Sequence, residues 1–121
     1  MNHAEDREQI ALMSWVRLMA PRYPALGCIF HVPNGGHRDA RSAAKFKAMG
    51  VLAGVWDLCV PLPTPLWIEM KAGKGRLTPS QTWFREALEG GDYKFVVAWS
   101  WIEAAKAIGE HIGMDEQDIP K

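Results

Sequence analysis

Residues 57–71, reading DLCVPLPTPLWIEMK, constrain the fold more than any other stretch of the chain. Pro61, Pro63 and Pro65 cannot donate to a strand ladder, so they break the run into two short strands joined by a turn. Side chains alternate along a strand, which puts Trp67, Glu69 and Lys71 on one face and Ile68 and Met70 on the other. A hairpin closing here folds Asp57 back beside Glu69. Two carboxylates and an ammonium then meet at one spot.

That grouping requires a physical reason. Carboxylates about 4 Å apart repel by about 4 kcal/mol at an effective dielectric of 20. A hard divalent cation, Mg²⁺ or Mn²⁺, removes the conflict, because such ions accept one or two protein carboxylates and keep sites for water and phosphate oxygens. Lys71 is then expected to orient or deprotonate an attacking water, or to offset charge developing on a phosphate. Asp57→Ala is expected to relieve repulsion and raise thermal stability in the ion-free protein. The plainer alternative is an exposed hairpin with an incidental Glu-x-Lys pair.

The chain has 121 residues, enough for one domain with a core that needs no disulfide. Fourteen basic residues balance fourteen acidic ones, so no global field draws in a polyanion. The basic residues are nevertheless clustered: Arg38, Arg41, Lys45 and Lys47 in the middle, then Lys71, Lys74 and Arg76. No apolar run is long enough to span a bilayer. The charged start MNHAEDREQ is unlike a signal or transit peptide, so a cytoplasmic location is expected. Cys28 and Cys59 lie in apolar runs and are expected to be buried free thiols.

Apolar spacing predicts a helix over 4–19, with Leu12, Trp15, Val16 and Met19 on its core face. Carried back by one and two turns, that stripe reaches Glu8 and Glu5. Either could be a third carboxylate, or both could be solvated residues favoured at a helix start. Residues 26–32 read as a buried strand, and 39–49 as a helix closed by Gly50, with Arg38, Arg41 and Lys45 on a basic face and Ala40, Ala43, Ala44 and Phe46 available for packing. Thr78-Pro79-Ser80-Gln81 forms a capping box that opens a helix burying Phe84, Ala87 and Leu88. Residues 93–99 read as a strand buried on both faces. Ser100 opens a last helix using Ile102, Ala105, Ile108 and Ile112, and the acidic tail from Met114 is expected to fray over 113–121. The sum is an α/β domain: a mixed sheet of about four strands flanked by helices, with the hairpin antiparallel and the next crossover parallel.

Several motifs in this order resemble one family. His31-Val32-Pro33-Asn34-Gly35-Gly36, Arg38, Lys47-Ala48-Met49-Gly50-Val51, Gly54-x-x-Asp57, Ile68-Glu69-Met70-Lys71 and Gly75-Arg76-Leu77-Thr78-Pro79-Ser80-Gln81 are similar to the virus-type replication-repair nuclease (VRR-NUC) domain, a branch of the PD-(D/E)xK nuclease superfamily found alone in phage and bacterial proteins. The resemblance implies a single restriction-endonuclease-like domain over residues 1–121. It implies that Asp57 and Glu69 hold Mg²⁺ or Mn²⁺, with the Met70 backbone carbonyl and Glu5 as further ligands and Glu8 as the fallback. Gln9 matches the glutamine that follows the family's N-terminal Glu. Lys71 is then the superfamily lysine, and Gln81 joins the catalytic group beside Asp57, Glu69 and Lys71. Contacts to nucleic acid are implied for Asn34, Gly35, Arg38, Arg41, Lys45, Lys74 and Arg76.

One position departs from the pattern, since Trp56 stands where proline usually precedes the metal-binding Asp. The change is expected either to be tolerated with altered strand pairing or to weaken the nuclease. The activity implied is a metal-dependent DNA endonuclease, Holliday-junction-resolvase-like on branched DNA and acting in repair as a homodimer. Two alternatives are a weak or inactive nucleic-acid-binding module of the same fold, and a partner-binding subunit displaying Trp83 and Trp101.

Overall fold

The computed structural model describes residues 3–33 and 39–121. Its elements run α1 (His3–Met19), β1 (Phe30–His31), α2 (Ala40–Ala48), β2 (Leu58–Val60), β3 (Leu66–Met70), α3 (Pro79–Ala87), β4 (Lys94–Ala98) and α4 (Trp101–Ile112), with short 3₁₀ turns at Pro24–Cys28 and Glu116–Asp118. The strands form one sheet in the order β1-β2-β3-β4. The first two pairings are antiparallel and β3 with β4 is parallel, so the expected mixed four-stranded sheet is present.

Alternation along β3 divides the molecule into two layers. Leu66, Ile68 and Met70 are buried against Leu12 and Val16 of α1 and Ala105 and Ile108 of α4, which form the main core. On the opposite face, Trp67 meets Phe84 of α3 edge to face at 5.1 Å, and Phe84 meets Phe95 of β4 at 6.3 Å. Such aromatic pairs add packing energy beyond area burial and hold α3 to the sheet. The start of α3 is fixed as its sequence requires. Thr78 accepts the Gln81 N–H, Gln81 accepts the Thr78 N–H, and Pro79 occupies the first turn, where its missing donor costs nothing. Ser100 caps α4 by accepting the Glu103 N–H, and Gly113 closes that helix at φ 76°.

Several expectations are corrected. The run 26–32 is not one strand: Pro24 starts a 3₁₀ turn that drives Leu26 into the core, and only Phe30 and His31 pair with β2. Cys28 is consequently exposed, while Cys59 is buried as expected and burial raises its thiol pKa. The helix at 40–48 buries none of its residues, so Ala40, Ala43, Ala44 and Phe46 do not pack into a core. In α3 only Phe84 is buried; Ala87 is exposed and Leu88 caps the end. β4 is an edge strand whose middle residues are half-buried and whose Lys94 is exposed, rather than a strand covered on both faces.

The tail does not fray. Met114 is buried and Ile119 packs against Gly109, where a side chain would collide with it. The Asp118 carboxylate accepts from the Tyr23 hydroxyl at 2.6 Å, and Arg22 reaches Asp115 at 3.0 Å and Asp118 at 3.3 Å.

Candidate functional site

Asp57 lies one residue before β2, and continuing the Leu58–Ile68 register sets it opposite Glu69. Each residue serves the other's strand. The Asp57 N–H donates to Glu69 Oε1 at 3.1 Å, and Asp57 Oδ2 accepts the Met70 N–H at 2.8 Å. The Asp57 carbonyl is held from the other side, accepting from the Val32 N–H and from His31 Nδ1, both at 2.8 Å. A carbonyl can only accept, so the His31 ring carries its proton on Nδ1 in this contact.

Glu69 Oε2 receives two further partners: Gln81 Nε2 donates at 3.0 Å, and Lys71 Nζ lies 3.4 Å away. Glu69 is 3 % exposed and Lys71 7 %, an unusual depth for charged side chains unless they are paired. Burial raises the pKa of both carboxyls. That of Glu69 is pushed up to about 7, chiefly by burial and then by the nearby Asp57, against the opposing pull of Lys71. For Asp57 burial again dominates, and the Met70 N–H opposes it.

These groups open onto a cavity of about 420 Å³ lined by Glu5, Gly54, Asp57, Glu69, Lys71, Thr78, Ser80 and Gln81 among others. The first turns of α1 and α3 therefore converge on the mouth of the hairpin. Glu5 is buried on this wall, whereas Glu8 turns away and accepts the Trp101 N–H at 2.8 Å at the start of α4. Glu5 thus lines the cavity, and Glu8 ties α1 to α4. Gln9 does not line it, and its Oε1 is buried without a hydrogen-bond partner among the described residues. The Met70 side chain is wholly in the core, so any contribution to the site comes from its backbone.

The basic residues are more dispersed. Arg41 and Lys45 are exposed on α2, and Lys74 and Arg76 are exposed on the connector after β3; none lines the cavity. Arg76 folds back toward the Lys74 and Gly75 carbonyls at 3.4 and 3.3 Å. Asn34, Gly35 and Arg38 lie outside the described residues. Trp83 is exposed, and Trp101 is half-buried against the core.

Two residues marked in the sequence, Gly54 in the family-like motif and Trp56 as its departure, brace the site through tertiary contacts that the sequence does not show. Gly54, at φ 91°, lies so close to the Ser80 backbone that a Cβ would collide with it. Trp56 is almost fully buried, stacks edge to face on Phe95 at 5.1 Å and donates its indole N–H to the Gln81 carbonyl at 3.0 Å. It does not displace Asp57, whose side chain still reaches β3. The contact spans 25 residues, and no local pattern signals it.

A divalent ion fits this donor set in a particular way. Among the described residues no three His, Cys, Asp or Glu side chains form a ready-made cage. Two adjacent carboxyls with raised pKa values, beside an acidic wall residue, instead suit a hard cation that keeps much of its water shell.

No family model and no curated protein matches the sequence. A solved structure described as a "VRR_NUC domain protein" does match, with a TM-score of 0.74 and 31% identity, over 94% of this chain and 92% of that one. Likeness in both sequence and fold over nearly the full length of both chains shows that this chain belongs to the VRR-NUC nuclease family.

Proposed function

We propose that the chain is a divalent-metal-dependent endonuclease that hydrolyses phosphodiester bonds in DNA, with Asp57, Glu69, Lys71 and Gln81 as its working residues. The observation that carries this reading is the cross-bonded pair of half-buried Asp57 and buried Glu69, with Lys71 Nζ 3.4 Å from Glu69. A protein gains no stability from packing two acids together; the arrangement makes sense as a cation site. Asp57 and Glu69 would hold Mg²⁺ or Mn²⁺, with Glu5 and the Met70 carbonyl as the further ligands that the family resemblance implies. When bound, the ion supplies positive charge that keeps both carboxyls ionised and polarises the phosphate.

The chain's own groups then have defined tasks. Lys71, fixed by Glu69 at the cavity wall, offsets negative charge building on the phosphate oxygens. Gln81 holds Glu69 Oε2 in place, and Glu5 closes the acidic wall of the cavity. Exposed Arg41, Lys45, Lys74 and Arg76 contact the DNA backbone, a role that fixes position without reading sequence. Branched DNA is the proposed substrate and a homodimer the proposed working form. Two sites related by a two-fold axis suit a substrate with two equivalent strands, and pairing doubles a modest basic footprint.

The test is a cleavage panel of linear, flapped and four-way DNA with Mg²⁺, with Mn²⁺ and with chelator. Metal-dependent cutting that favours the branched substrates is expected. Binding to all three without cutting under any metal condition would replace the nuclease reading with that of a binding module.

A further inference from the structure

Residues 54–56, immediately before the Asp57 strand, grip the first turn of α3 at two points. Gly54 presses on the Ser80 backbone, and the Trp56 indole N–H bonds the Gln81 carbonyl at 3.0 Å. The same Gln81 uses both ends of its side chain. Its Oε1 accepts the Thr78 N–H at 2.9 Å, and its Nε2 donates to Glu69 Oε2 at 3.0 Å. Gln81 is thus fixed at its backbone by Trp56 and at its amide by the cap, which leaves one direction for the NH₂ group. Trp56 itself is 1 % exposed and braced against Phe95, so its N–H is aimed without freedom.

We infer that Trp56 is a positioning residue of the site, acting through Gln81 to fix the Glu69 carboxylate. The inference rests on the nuclease reading above. Glu69 Oε1 is held by the Asp57 N–H, and Oε2 is shared by Lys71 and Gln81. Loosening Gln81 removes one of the three partners that fix the carboxylate's last torsion, and both Lys71 and a bound cation would then meet a less defined partner. Positioning of this kind governs turnover more than substrate binding.

The test replaces Trp56 by Phe, which keeps an aromatic ring against Phe95 and removes the N–H. A second variant carries benzothienylalanine at position 56, which keeps the bicyclic shape and lacks the donor. Two readouts are followed. By NMR, the Gln81 side-chain amide protons are expected to lose their hydrogen-bonded shift and slow exchange in both variants, with or without metal. By kinetics, kcat is expected to fall about tenfold with KM little changed, the size of one lost hydrogen bond. In a Gln81→Ala background the same Trp56 change should have under about a twofold effect, because residues acting through one another are not additive.

An unchanged Gln81 amide in the benzothienylalanine variant overturns the proposal, as do additive effects in the double variant. If Trp56→Phe fails to fold, the shape-preserving variant decides. If the wild-type protein cuts no DNA, the nuclease reading fails, while the NMR arm still tests whether Trp56 orders Gln81.

Discussion

Asp57 is held through its amide, its carbonyl and its side chain at once, and that decides which substitution there is informative. Asp57→Ala removes a charge that conflicts with Glu69 but also orphans the buried Met70 N–H, a loss of about 1–3 kcal/mol. The gain in stability expected of Asp57→Ala is therefore corrected: it belongs to Asp57→Asn, which keeps an acceptor for Met70. In the ion-free protein at pH 8, Asp57→Asn should melt higher than wild type and Asp57→Ala should not, by differential scanning calorimetry. Both should abolish cutting. Lys71→Ala should lower kcat by at least about a thousandfold, comparable to losing a major charge-stabilising group, with a far-UV spectrum unchanged from wild type.

Glu69 adds a pH dependence whose sign follows from its raised pKa. Below its ordinary value of 4.5 the carboxyl is neutral in both folded and unfolded chains, and folding loses nothing. Between 4.5 and about 7 the unfolded chain ionises first, so stability falls. Above about 7 the loss is complete and is on the order of 3 kcal/mol. Asp57 pushes in the same direction. Mg²⁺ should therefore raise the melting temperature strongly at pH 8 and little at pH 5. Equal Mg²⁺ shifts at the two pH values would remove these carboxyls as the ion's ligands.

Legibility from sequence varied by element for identifiable reasons. The hairpin, the α3 capping box and the α4 cap are local chemistry, and each stands where its residues predict. The runs 26–32 and 93–99 are apolar without periodicity, and such runs do not reveal whether the backbone turns or how many neighbours a strand has. The tail misled because its acids are visible in sequence while their partners, Arg22 and Tyr23, are more than 90 residues away. The convergence of Asp57, Glu69 and Lys71 was legible because strand alternation and the family pattern agree, and that of Gln81 came from the family pattern alone, whereas Trp56 and Gly54 act through tertiary contacts. The docked tail gives a prediction at this scale. Ending the chain after Gly113 removes Met114 and Ile119 from the main core, and should cost about 3 kcal/mol in urea unfolding. Arg22→Ala should shift the midpoint far less, because its ion pairs are exposed.

A chain with no net charge has to bind a polyanion through where its cations sit. Arg41, Lys45, Lys74 and Arg76 are exposed on two separate segments, and one copy neutralises few phosphates. Each neutralised phosphate contributes about 0.9 to the slope of log affinity against log salt, so two copies using these four cations give a slope of about 7 and one copy about half that. Fluorescence anisotropy with four-way DNA over a salt series therefore reports how many copies bind, independently of cleavage. A slope near the larger value, together with a dimer mass from light scattering at micromolar concentration, is expected. Lys74→Glu should lower the slope and weaken binding to linear and branched DNA alike, since a phosphate contact carries no shape information. A slope near the smaller value with a monomeric mass would remove the proposed two-fold arrangement and leave the proposed chemistry at the hairpin untouched, because every residue proposed for that chemistry comes from one chain.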